Sequence, residues 1–132
     1  MISSIFLNMS VTSLKRSVDF FTQLGFTFNA QFTAEDSTCM IISPTIYAML
    51  LEEPKFKSFN DKPIADRKST EMIISLSCES KDEVNKLAST AHTAGARKIS
   101  EPTDHGFMYS WGFEDLDGHL WDLFWMDPTY VQ

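Results

Sequence analysis

The side chains able to do chemistry are few and scattered. Three histidines (His92, His105, His119) and two cysteines (Cys39, Cys78) stand among 132 residues. No Ser-His-Asp order, phosphate-binding glycine loop or zinc-ligand spacing links them. Cys39 and Cys78 are far apart with no CxxC, which reads as two reduced, buried or half-buried thiols. His92 falls on a helix next to Ala91 and reads as surface. His119 follows Gly118 in a turn and reads as structural or exposed. His105 opens His105-Gly106-Phe107-Met108-Tyr109, just before a strand, where a loop could bring it to a ligand. Glu52-Glu53 ends a strand, where solvation accounts for both, though Glu52 could also reach the mouth of a site. Asp122 differs from all of these, because it interrupts the apolar run Leu120 to Trp125. Strand alternation puts Leu120, Asp122 and Phe124 on one face and Trp121, Leu123 and Trp125 on the other.

The elements that must carry these residues occur twice. Ile2 to Val11 alternates, with Ile5, Leu7, Met9 and Val11 on one face and Phe6, Asn8 and Ser10 on the other. Leu14, Val18, Phe21 and Leu24 then recur at helical spacing, and Gly25 stands where a left-handed helix stop belongs. Phe26 to Phe32 alternates as a second strand. Cys39 to Ile42 and Ile46 to Leu51 flank Ser43-Pro44-Thr45 as a hairpin. The polar stretch 55–69, containing Pro63, reads as a linker draped on the surface by Phe56, Phe59 and Ile64. The order then repeats. Met72 to Cys78 is a strand, and Ser80-Lys81-Asp82-Glu83 is a capping box. Val84, Leu87, Ala88 and Ala91 make a helical face, closed by Gly95. Three strands are expected near Lys98-Ile99, Tyr109 to Phe113 and Leu120 to Trp125, with Gly118 at positive φ in the Asp115-Leu116-Asp117-Gly118 turn. Val11 thus matches Cys78, and Gly25 matches Gly95.

Bulk properties set the class. Apolar residues make up 43 % and aromatics 13 %, enough for a core and against disorder. A formal charge of −7 disfavours phosphate backbones, so no nucleic-acid partner is expected. No run reaches the roughly 18 apolar residues of a membrane helix, and no basic segment marks a signal peptide, so the expected location is cytoplasmic, without a membrane partner.

Several motifs together resemble the vicinal oxygen chelate superfamily of glyoxalase, bleomycin-resistance and extradiol-dioxygenase relatives. They are Val11-Thr12-Ser13-Leu14-Lys15-Arg16-Ser17 with Phe20-Phe21 and Leu24-Gly25-Phe26, then Ala94-Gly95-Ala96, then Asp115-Leu116-Asp117-Gly118-His119-Leu120-Trp121-Asp122-Leu123. The resemblance spans nearly the whole chain. It implies an α+β fold of two tandem βαβββ modules forming a curved mixed sheet around a cleft, with modules at 1–54 and 70–132 and the linker at 55–69. It also implies a homodimer and a small-molecule ligand.

Metal-using members of that superfamily take ligands from the first strand of each module and from a last strand. Counting back from Val11 and Cys78, those first-strand positions are Phe6 and Ile73, which carry no donor atom. The last-strand carboxylate falls on Asp122. One carboxylate does not make a tight divalent site, since three or more protein ligands are usual, so no cofactor is expected; the alternative is a divalent metal with Asp122 as a ligand. Asp122 either takes a hydrogen bond within the sheet or serves as general base or substrate anchor in an apolar cleft, where burial raises its pKa. With Phe6, Asn8, Ile73, Ser75, His105, Tyr109 and Phe124 it makes up the expected site. Three functions follow: a glyoxalase-like lyase or isomerase acting on a small carbonyl or thiol adduct, a metal-free drug-sequestering protein, or a dimeric scaffold. The apolar Phe6 and Ile73 favour the second.

Overall fold

The computed structural model describes residues 1–129. The chain forms two compact units, Met1–Ile64 and the part from Ala65 onward, each with its own mixed sheet.

The first unit runs β1 (Ile5–Val11), α1 (Leu14–Gln23), β2 (Thr27–Ala34), β3 (Ser37–Ser43), β4 (Ile46–Glu52) and a short α2 (Glu53–Lys57). Its sheet order is β1-β4-β3-β2, with β1 parallel to β4 and the other pairs antiparallel. Met9, Val11, Met40, Ala48 and Leu50 are all at most 2 % exposed and share one face by register, as do Phe20 and Phe21 of the helix that covers it. Each such large side chain removed from water stabilises by about 1.5–3 kcal/mol. Ser13 starts α1 by accepting the Arg16 N–H at 3.2 Å. Gly25, at φ 98°, ends it, because an L side chain is strained there.

The second unit repeats the plan with β5 (Ile73–Ser77), α3 (Lys81–Thr93), β6 (Arg97–Lys98), β7 (Thr103–Asp104), β8 (Met108–Glu114) and β9 (Leu120–Met126). Its order is β5-β9-β8-β6, again with first and last strands parallel, and β7 pairs with β8. The capping box forms: Ser80 Oγ accepts the Glu83 N–H at 3.0 Å, and Glu83 Oε1 accepts the Glu79 N–H at 2.7 Å. Ile74, Leu123, Phe113 and Trp121 are buried on the face turned to Val84, Ala88 and Ala91 of α3.

Three details depart from the sequence expectations. The stretch read as a linker begins inside α2, a single turn that Pro54 can start because a first-turn residue needs no amide donor. The second unit has four strands after its helix rather than three, since two-residue β7 is too short for alternation to reveal. His92 is not a free surface group: its ring lies 5.1 Å from that of Trp111, and Nε2 is buried.

Candidate functional site

The face of the second sheet opposite α3 carries a short polar row. Ser75 pairs with Asp122 between β5 and β9, and Gly112 of β8 pairs with Asp122 from the other side. These three therefore stand in one row across the sheet, on one face. Ile73, Ser75, Ile99, Ser100, Gly112, Leu120 and Asp122 line a hollow of about 410 Å³ there. The glycine is required by packing. A Cβ at position 112 would lie 2.7 Å from the Trp121 carbonyl oxygen and 3.7 Å from Asp122 Oδ1. Sequence reading passed over Gly112, although a glycine inside a strand pattern signals close approach of this kind.

Asp122 is half-buried, and burial raises its pKa above the usual carboxylate range. The Ser75 hydroxyl, hydrogen-bonded to it, pulls the other way and wins less. No cation among the described residues offsets the desolvation. The other carboxylate on this face, Glu114, is taken: its Oε1 accepts from Arg97 Nη2 at 2.7 Å and Nε at 3.1 Å.

The remaining expected site residues divide. Ile73 and Ser75 join Asp122 in the hollow. Phe124 shares the face but pairs with Ser77 and Ser110, farther along the strand. Tyr109 stands on the other face. It pairs with Trp125, so alternation turns it to the α3 face, where its hydroxyl donates to Asn85 Oδ1 at 2.6 Å. His105 is exposed in the β7–β8 turn, its amide donating to the Met108 carbonyl at 2.8 Å, and it does not line the hollow. Phe6 and Asn8 lie on the first unit's sheet, on the face away from α1. Phe6 stacks on Tyr47 at 4.6 Å, and Asn8 borders a hollow of the first unit with Phe56, Phe59 and Asn60.

Other ionisable groups have structural employment. Glu52 Oε2 accepts the Leu14 N–H at 2.9 Å and so caps α1. Buried His119 holds Nδ1 2.6 Å from Glu71 Oε1. Burial and the Glu83 carboxylate push the Cys78 thiol up to about 11, which leaves little thiolate for nucleophilic work at neutral pH. Among the described residues no three His, Cys, Asp or Glu side chains gather as a metal-ligand group. The donor chemistry at Phe6, Ile73 and Asp122 does not fit the divalent ion that related proteins use.

Two units that each place a helix after the first strand and pair the first strand parallel to the last make a small α+β protein. The sequence matches the Glyoxalase/Bleomycin resistance protein/Dioxygenase superfamily over residues 5–123, and the chain belongs to that family. Among solved structures it is similar to a hypothetical protein from S. aureus, at 28 % identity and TM-score 0.81, covering 94 % of each chain. It is also similar to a glyoxalase-related enzyme from Fulvimarina pelagi, at 12 % identity and TM-score 0.81, covering 95 % of this chain and 88 % of that one. The fosfomycin resistance protein FosX from Mesorhizobium loti matches at 15 % identity and TM-score 0.70, covering 98 % and 97 %. The last two likenesses concern the fold alone. No curated protein sequence matches. Among the described residues no helix is long and apolar enough to cross a membrane.

Proposed function

We propose that this protein binds a small organic molecule on the open face of its second unit, without a metal ion, through the Asp122 carboxyl. The observation that carries the reading is the environment of that carboxyl: half-buried, bonded to Ser75, beside the gap left by Gly112, with Ile73, Ile99 and Leu120 around it. Mostly apolar walls with a few convergent polar groups are the usual make-up of a small-molecule site. An acid held there can accept a hydrogen bond from a ligand hydroxyl or amine, or donate one when protonated.

A second reading, lyase or isomerase action on a small carbonyl or thiol adduct, is favoured by the raised pKa of Asp122. A carboxylate poised nearer neutrality is a better general base. A homodimer is part of either reading, and sedimentation of the purified chain checks it.

Thermal-shift screening tests the binding site. Fosfomycin belongs in the panel, because FosX proteins are among the structural neighbours. A ligand that binds only the folded protein raises the midpoint. The shift is expected to vanish in Asp122→Ala while the far-ultraviolet spectrum stays native. A hemithioacetal assay with added Ni or Zn is expected to show no turnover; robust turnover would replace the binding reading with the catalytic one. Elemental analysis is expected to find less than one Zn, Ni, Mn or Fe per chain. One ion per chain, lost in Asp122→Ala, would overturn the metal-free site.

A further inference from the structure

The ladder between β2 and β3 opens in its middle. Asn29 of β2 pairs with Cys39 of β3, and Ala34 pairs with Ser37, so residues 30–33 stand opposite Thr38 alone. A bulge unpairs its strand locally, and bulges are over-represented beside functional sites. This one is held by its own bonds. Asn29 Oδ1 accepts the Gln31 N–H at 2.9 Å, and the Asn29 carbonyl accepts the Thr33 hydroxyl at 2.8 Å. Phe28 pairs with Met40, and Thr38 with Leu50, so both stand on the face that α1 covers. Between that helix and the bulge lies a hollow of about 350 Å³, lined by Leu14, Val18, Phe28, Ala30, Thr33 and Thr38.

Its polar groups are two hydroxyls, and no charged side chain lines it. Thr38 is the most buried of the lining residues, 2 % exposed. Thr33 Oγ1 and Thr38 Oγ1 are 2.8 Å apart. A threonine hydroxyl has one hydrogen and two lone pairs. Thr33 directs its hydrogen to the Asn29 carbonyl, so Thr38 must donate to Thr33. The relay therefore runs from Thr38 through Thr33 to Asn29. Thr38 Oγ1 keeps lone pairs but has no hydrogen left to give. A ligand carbonyl would find no donor there, whereas a ligand hydroxyl would find an acceptor.

We infer that this hollow binds a compact, uncharged aromatic ring that carries one hydroxyl group, a phenol. The ligand hydroxyl donates to Thr38 Oγ1, and the ring lies against Phe28, Leu14 and Val18. The volume falls in the range of small-molecule sites. A carboxylate or ammonium would lose water here and meet no counter-ion. The site goes beyond the reading built on Asp122: it lies on the helix-covered face of the first unit and recognises its ligand through a neutral acceptor.

The test titrates the full chain with phenol at neutral pH, where a hydroxyl of this kind stays un-ionised, and follows the backbone amides by NMR. Shifts are expected at Leu14, Val18, Phe28, Ala30 and Thr38, with a dissociation constant on the order of 1 mM. Anisole keeps the ring but has no hydrogen to donate, and it is expected to bind the wild type about tenfold more weakly than phenol. Thr38→Val removes the acceptor and is expected to abolish that preference, so that phenol and anisole bind alike. Ala30→Leu, at an exposed position, fills the hollow from the strand side. It is expected to weaken both probes by about tenfold or more with an unchanged melting temperature. The wild-type preference and Ala30→Leu decide the matter even if Thr38→Val does not fold. The site is overturned if these amides do not shift, if anisole binds the wild type as tightly as phenol, if a folded Thr38→Val keeps the preference, or if Ala30→Leu binds as the wild type does.

Discussion

At the scale of single residues, Asp122 and Gly112 decide what the open face can do. Burial raises the Asp122 pKa, so the native state holds this proton more tightly than the unfolded chain does. Its contribution is therefore fully present below the ordinary Asp value of about 3.9 and is lost as pH rises through the raised native value. Asp122→Asn removes an ionisation that the fold resists. Its melting temperature is expected to match or exceed that of the wild type at neutral pH, with the difference closing below about pH 4. Thermal unfolding followed across that range checks this, and a clear loss of stability at neutral pH would show that the charge is stabilised by a partner. Gly112→Ala tests the packing beside it. The added methyl meets the Trp121 carbonyl at 2.7 Å, a contact with backbone that side-chain motion cannot relieve. A loss of about 1–3 kcal/mol is expected in denaturant unfolding, together with loss of ligand-induced stabilisation as the hollow narrows.

At the scale of elements, the turn from β8 to β9 sets where Asp122 stands. Buried Asp115 holds that turn: Oδ1 accepts the N–H groups of Asp117 at 2.9 Å and His119 at 3.0 Å, and Oδ2 accepts the Trp121 indole N–H at 2.9 Å. In Asp115→Asn one oxygen becomes an NH₂ group, so a donor faces a donor on one side. A cost of about 1–3 kcal/mol is expected in chemical denaturation, accompanied by a change in Trp121 fluorescence. The turn itself was legible in the sequence, because Gly118 marks the positive φ, observed at 88°. So were the two longer helices, α1 and α3, whose glycine stops, with the capping box of α3, are local signals that tertiary packing did not override. What escaped was short or depended on register. Two-residue β7 and five-residue α2 are below the length at which periodicity speaks. Tyr109 stands on the α3 face because its register against Trp125 fixes its side, and that pairing is not visible in the sequence. Glu52 as a helix cap and Gly112 as a spacer rest on contacts between distant segments. Ile73 and Ser75 were reached by counting along the repeated first strand and Asp122 from the motif that follows Gly118, and the register sets Ser75 beside Asp122.

At the scale of the whole molecule, charge and strand order matter most. The chain carries a net charge of −7, and its Lys15–Asp19, Lys81–Asp104 and Lys98–Glu101 pairs are exposed. Exposed pairs contribute about 0–1 kcal/mol each, whereas self-repulsion acts on the whole surface. Raising salt from about 0.01 to about 0.15 M, which shortens the screening length from about 30 to about 8 Å, is expected to raise the melting temperature. A fall on adding salt would show that the ion pairs outweigh the repulsion. The sheet order has a kinetic side as well. In each unit the first strand lies parallel to the last, β1 beside β4 and β5 beside β9, with the remaining strands strung between them. Among the described residues neither β1 nor β5 has any other strand neighbour in its sheet, so each must wait unpaired until the rest of its unit has been brought round. Closing such a loop costs chain entropy before any of the parallel ladder forms. Each unit is thus a clasp whose two halves sit at opposite ends of the strap, and its speed of folding is set by how long they take to meet.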